Sequence, residues 1–232
     1  MAEPPSGRRS GGGGPPAMLV GILALALLAL GAVMLVSAAA FASRRLGISQ
    51  EVALLALWAS LLGSWINIPV ARVRTVAQPL GEVRVFGVRY VINAFPPVRE
   101  TIVAVNVGGA LVPVFLSVLL LVRSGAWMPA LAAVAVVSAL AYVAARPVEG
   151  VGIVLPTLLA PAAAALCAVL LAPEHSAAVA YAAGALGALV GADLMHLREI
   201  GRLGAPVASI GGAGTFDGIF VSGLVAVLLA TL

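Results

Sequence analysis

Lysine does not occur in this 232-residue chain, aspartate occurs twice and cysteine once, and only 9% of the residues are charged. A soluble domain carries about 25% charged residues, so the charge poverty excludes an ordinary soluble fold. The single cysteine, Cys167, stands in an apolar stretch, which excludes a disulfide framework and a cysteine-based metal site. All 13 basic residues are arginines scattered at the edges of apolar runs. The pI near 10.2 therefore reflects head-group anchors rather than a nucleic-acid-binding patch, and no nucleic-acid partner is expected. No cofactor motif is present either.

What is there is hydrocarbon: 62% hydrophobic residues and a mean hydropathy of +1.14. The composition predicts an all-α fold, a polytopic transmembrane helix bundle whose main partner is the lipid bilayer. Residues 1–17, with Arg8, Arg9 and a run of glycines and prolines, cannot bury enough apolar surface to order themselves and read as a flexible tail. Residues 18–232 form one transmembrane domain. A span needs about 20 apolar residues, and seven runs qualify: 18–42, 51–70, 101–122, 126–145, 151–171, 177–195 and 205–232. The first follows a basic tail and ends in small residues, as a signal peptide does, but its apolar stretch is too long for one and favours a retained helix. The last contains a Gly-rich break at 211–214, which predicts a broken or re-entrant helix.

Arginine placement orients the bundle. Arg8, Arg9, Arg72, Arg74, Arg84, Arg89, Arg99, Arg146, Arg198 and Arg202 fall on one set of loops, and only Arg44, Arg45 and Arg123 on the other. The positive-inside rule makes the first set cytoplasmic, giving a cell-membrane protein with its N-terminus inside and its C-terminus outside. Within the long loop, residues 82–91 alternate with strand period around Gly87, predicting a small cytoplasmic β-hairpin at the membrane surface.

The two aspartates, Asp193 and Asp217, both lie in the apolar C-terminal third. A carboxylate at membrane depth costs at least a few kcal/mol, which makes each a candidate functional residue. Two carboxyls held together share a proton and can activate water for peptide hydrolysis, or the pair can bind a proton or sodium ion during transport. A structural role, capping a helix or bonding amides of the Gly-rich turn, competes with both. In a regular helix Asp193 would sit about 160° from the Gly187/Gly191 close-packing stripe, so a direct pair requires local unwinding or a different contacting face. Asp217 lies inside a second such stripe, Gly214 and Gly218. Asn67, Asn106, Gly108, Gly109, Pro113, Pro156, Gly211, Gly212, Gly214 and Gly218 interrupt the spans. Such interruptions free backbone groups to line a pore or cavity; the bland alternative is close helix contact with asparagine bonds across it. His196 and Glu199 follow Asp193 closely enough for a rim metal site to be drawn, but a polar turn beside a span needs such residues in any case, and no metal is expected.

The run from Gly204 to Phe220, with Gly191-Ala192-Asp193-Leu194 ahead of it, resembles the signature of the domain-of-unknown-function 1614 family of prokaryotic integral membrane proteins. The segments 67–69, 106–113 and 145–156 match it too, so the resemblance covers nearly everything after the first helix and implies no assigned activity. More distantly, an aspartate on each of two consecutive helices is similar to presenilin and signal-peptide-peptidase intramembrane aspartyl proteases. Those enzymes show Tyr-Asp and Gly-x-Gly-Asp where this chain has Ala192-Asp193 and Gly214-Thr215-Phe216-Asp217, and no Pro-Ala-Leu motif follows. That resemblance implies a catalytic aspartate pair acting on a membrane-protein substrate. The alternatives are a proton- or sodium-coupled transporter or channel, with a small ion as partner, and a non-catalytic scaffold.

Overall fold

The computed structural model describes residues 15–74, 81–85, 88–92, 100–148, 152–202, 206–212 and 218–231. Contacts divide the chain into two units, Met1–Ala38 and Ala39–Leu232. The first contains most of a long apolar helix, α1 (Pro15–Leu46). The second holds α2 (Gln50–Gly63), α3 (Val112–Ser124), α4 (Trp127–Ala144), α5 (Leu159–Leu171), α6 (Ser176–Ala188) and α7 (Gly218–Ala230). Local chemistry sets their ends. Ser49 caps α2 through Val52 N, and α3 stops at Gly125, whose φ of 70° suits glycine.

Among the described residues, four helical segments are long and apolar enough to cross a membrane: Met18–Leu46, Val107–Ser124, Trp127–Ala144 and Pro173–Leu194. Gln50–Gly63, Leu159–Leu171 and Ile219–Ala230 are apolar but shorter. Twelve to fourteen residues at about 1.5 Å each rise only about 20 Å, against a hydrocarbon core of about 30 Å. Of the seven crossings expected, four therefore correspond to helical segments of sufficient length among the described residues, and the run at 51–70 passes from α2 into extended chain at Asn67.

That extended chain corrects the all-α expectation. β1 (Asn67–Arg74), β4 (Glu100–Asn106) and β7 (Val207–Ile210) form a three-stranded sheet in the order β1-β4-β7, with β1/β4 antiparallel and β4/β7 parallel. β4 is the centre strand, and its Thr-Ile-Val-Ala-Val run belongs to the β-favouring class. Pro69, which cannot donate to a ladder, sits in β1 at the sheet edge, beside a register irregularity. The run expected as a broken last helix thus begins as β7 and turns at Gly211 and Gly212, and its helical part, α7, is described from Gly218. The hairpin expected at 82–91 is present as β2 (Gly81–Val85) paired with β3 (Val88–Ile92). A second hairpin joins β5 (Arg146–Val148) to β6 (Gly152–Val154), between α4 and α5. The expected N-terminal tail lies outside the described residues apart from its last three positions, which open α1.

The core sits around α6. The apolar stretch within Pro173–Leu194 is 78% buried, against 44% for Val107–Ser124 and 28% for Trp127–Ala144, although its mean hydropathy of 1.6 is the lowest of these. Alanine and glycine line it: Ala180, Ala182, Ala183 and Ala185 are inaccessible, while Leu55, Phe115, Met128, Val143 and Leu170 are exposed on the surrounding helices. Lipid offers large apolar side chains a home, so association rests on close packing of small residues. Gly184 shows the tolerance, since a Cβ there would lie 3.1 Å from the Ser222 carbonyl and the Ala226 methyl of α7.

Candidate functional site

Asp193 is placed by a break in α6. After Ala188 the chain widens into a π-helix, Leu189–Leu194, closed by Met195 N donating to the Val190 carbonyl at 2.9 Å. This is local unwinding of the kind a site at Asp193 requires, and π-turns are frequent at functional positions. Two contacts hold it. Gly187 and Gly191 pack onto α4, where a Cβ on Gly191 would come within 2.7 Å of the Ala141 methyl. The buried His196 ring places Nδ1 at 3.1 and 2.9 Å from the Gly191 and Ala192 carbonyls. Carbonyls only accept, so Nδ1 carries the proton and donates to both. The ring also lies 4.9 Å from that of Tyr142.

So oriented, Asp193 Oδ2 accepts a 2.6 Å hydrogen bond from the Gly211 amide. Gly211 has φ of 88°, and a Cβ on it would fall 2.7 Å from the backbone of Gly109 and Ala110. Only glycine fits there. Gly109 and Ala110 belong to a second π-helix, Val107–Leu111, which leads from β4 into α3. Its cap is the buried Asn106. Asn106 Oδ1 accepts from Gly109 N at 2.8 Å, while Nδ2 donates to the Ser64 carbonyl at 2.7 Å and to Asn67 Oδ1 at 3.0 Å. Ser209 Oγ donates to the same Asn67 oxygen at 2.5 Å, and Ser60 Oγ to the Gly108 carbonyl at 2.8 Å. This network ties α2, β1, β4 and β7 together behind Gly211.

Asp193 borders a partly open cavity of about 260 Å³ lined by Leu155, Pro156 and Thr157 before α5, Gly212 after β7, and Ile219 and Ser222 in α7. Of the residues expected from sequence, Pro156 and Gly212 line this cavity with Asp193, and Gly211 bonds it. Asn106, Gly108, Gly109 and Pro113 are packed in the interior, and Asn67 faces a separate groove over the sheet. Gly218 opens α7. Asp217 and Gly214 lie outside the described residues. Sequence reasoning missed Ser60, Ser64, Ser209 and Ser222, and the backbone role of His196. Ser60 and Ser64, one helical turn apart in an apolar segment, were the available signal.

No curated protein and no solved structure matches the chain. The family described as "Protein of unknown function (DUF1614)" matches residues 61–229, spanning every element from the end of α2 to α7. With apolar helices long enough to cross a bilayer and a family match over most of its length, the chain is a membrane protein that belongs to the DUF1614 family.

Proposed function

We propose that this protein is a membrane-embedded aspartyl hydrolase in which Asp193 and Asp217 share a proton and activate water against a peptide bond of a membrane-protein substrate. The observation that carries the reading is the cavity at Asp193. It is bounded by Gly212 on one side of the Gly-rich connection and by Ile219 on the other, so both flanks of the segment bearing Asp217 meet the same space as Asp193. Its volume of about 260 Å³ holds several waters at about 30 Å³ each. A second feature favours hydrolysis over ion transport. β7 is an edge strand in the sheet order, and it runs straight into the glycine that bonds Asp193. An extended peptide adding to that edge would be led to the carboxylate, a feature that ion transport does not need.

Transport by the same carboxyls has one observation of its own. The hydroxyls of Ser117, Ser138 and Tyr181 are buried without a hydrogen-bond partner among the described residues, as groups along a water path would be. Arginine asymmetry supports a cytoplasmic location for the Asp193 end, because Arg72, Arg74, Arg146, Arg198 and Arg202 fall on the arginine-rich set of loops in the sequence.

The test uses Asp193→Asn and Asp217→Asn in the full chain, reconstituted in vesicles with a fluorogenic single-span peptide and, in parallel, a proton-sensing dye. Hydrolysis predicts that either change alone abolishes cleavage while the protein stays folded. Loss of proton or sodium flux, with no cleavage by the unmodified protein, would move the assignment to transport. A double variant with undiminished activity would end both readings.

A further inference from the structure

At the other end of α6, about 25 Å from Asp193 along the helix, lies a crevice of about 630 Å³. That volume is in the range of about 300–1,000 Å³ typical of small-molecule sites. Arg45, at the end of α1, and Arg123, in the last turn of α3, both line it, together with Glu174 and His175 ahead of α6. The two arginines come from distant parts of the chain, yet converge on one space. Neither forms an ion pair among the described residues, where Arg72 with Glu100 is the pair that occurs. The Arg45 guanidinium rests 5.6 Å from the centre of the Phe41 ring, a contact that holds the arm while leaving its N–H edge free.

Ordinary head-group anchoring scatters arginines singly around a bundle's rim. Arg44, the neighbour of Arg45, is exposed and does not line the crevice, which makes it the internal control. Two guanidiniums facing one space offer paired donor forks, and their matching ligand is an anion with several oxygens, a phosphate above all. The crevice lies at the ends of three segments long enough to cross a bilayer, Met18–Leu46, Val107–Ser124 and Pro173–Leu194, where phospholipid head groups would lie, and Glu174 supplies the opposite charge that an ethanolamine ammonium would seek.

We propose that this crevice binds a phosphate group, gripped by Arg45 and Arg123, presented by a phospholipid head group or as free phosphate. The site is independent of the chemistry at Asp193. Purified full-length protein, stripped of lipid in detergent, would be titrated with phosphatidylethanolamine, with diacylglycerol of the same chains, and with inorganic phosphate, following thermal unfolding. Phosphatidylethanolamine should raise the unfolding temperature and diacylglycerol should not. Inorganic phosphate reproducing the shift would identify free phosphate as the source, and failing to do so would identify the head group. The Arg45→Gln, Arg123→Gln double variant should weaken the apparent affinity by about tenfold or more, Arg45→Lys, Arg123→Lys by less, and Arg44→Gln not at all. Equal stabilisation by diacylglycerol would overturn the proposal on the unmodified protein alone. So would an Arg44→Gln loss as large as that of the double variant, or a double variant that binds normally.

Discussion

Two π-helical turns meet at Gly211, and they are built on opposite plans. Val107–Leu111 is closed: Asn106 caps it, Ser60 takes the Gly108 carbonyl, and Gly63 and Gly108 bring α2 so near that no side chain fits between. Leu189–Leu194 is held on one flank by α4 and His196, but its other flank bears Asp193 and opens onto a cavity. One turn spends its irregularity on packing and the other presents a carboxylate. The difference shows that an unusual backbone is not by itself a sign of chemistry; what it faces decides.

The comparison can be broken most severely at the closed turn. A Cβ at Gly108 would press into the backbone of Ser60, Gly63 and Ser64, none of which can swing aside. Gly108→Ala should cost about 3 kcal/mol or more, lowering the unfolding temperature by about 10 °C in a chain of this size. Gly211→Ala comes next, at about 3 kcal/mol, because left-handed backbone and overpacking add. It is also the one change expected to disturb both turns, so the activity proposed for Asp193 should fall with stability in the same variant. Asn106→Ala removes the cap and leaves the Gly109 amide and Ser64 carbonyl buried and unpaired, for about 2–3 kcal/mol read in thermal or denaturant unfolding.

The open turn should behave differently. Asp193→Asn keeps an oxygen for the Gly211 amide and loses only the charge, so stability should change by no more than about 1.5 kcal/mol while activity disappears. Asp193→Asn as damaging as Gly108→Ala would show that the open turn is structural after all. The smallest effect belongs to Ser209→Ala, about 0.5 kcal/mol, since Asn67 keeps its bond from Asn106 when the serine hydroxyl goes.

Much of the frame was legible in the residues themselves. The apolar runs marked the helices, the alternation at 82–91 marked the hairpin, and an aspartate in an apolar run drew attention to Asp193, which borders the cavity. The three-stranded sheet was not legible, for a physical reason. Thr101–Asn106 is buried as a centre strand, so it shows the continuous apolar character that a buried helix also shows, and it runs unbroken into α3. Val207–Ile210 is too short to display a period at all. The π-turns were inaccessible for another reason: they arise where Gly187 and Gly191 must meet α4 and where Gly108 must meet α2, and those partners are remote in the chain.

The parallel pairing of β4 with β7 has a consequence in time. Ile102 to Val105 pair with Val207 to Ile210, and α3, α4, α5 and α6 are all made between the two strands. A growing chain therefore threads four helices while β4 still has an open edge, and the carboxylate at Asp193 leaves the ribosome 18 residues before the amide that receives it. Loop closure over such a separation is slow. A chain halted after α6, before β7 and α7 are made, would carry both an unfilled ladder and an unsheltered carboxyl to whatever machinery inspects newly inserted membrane proteins.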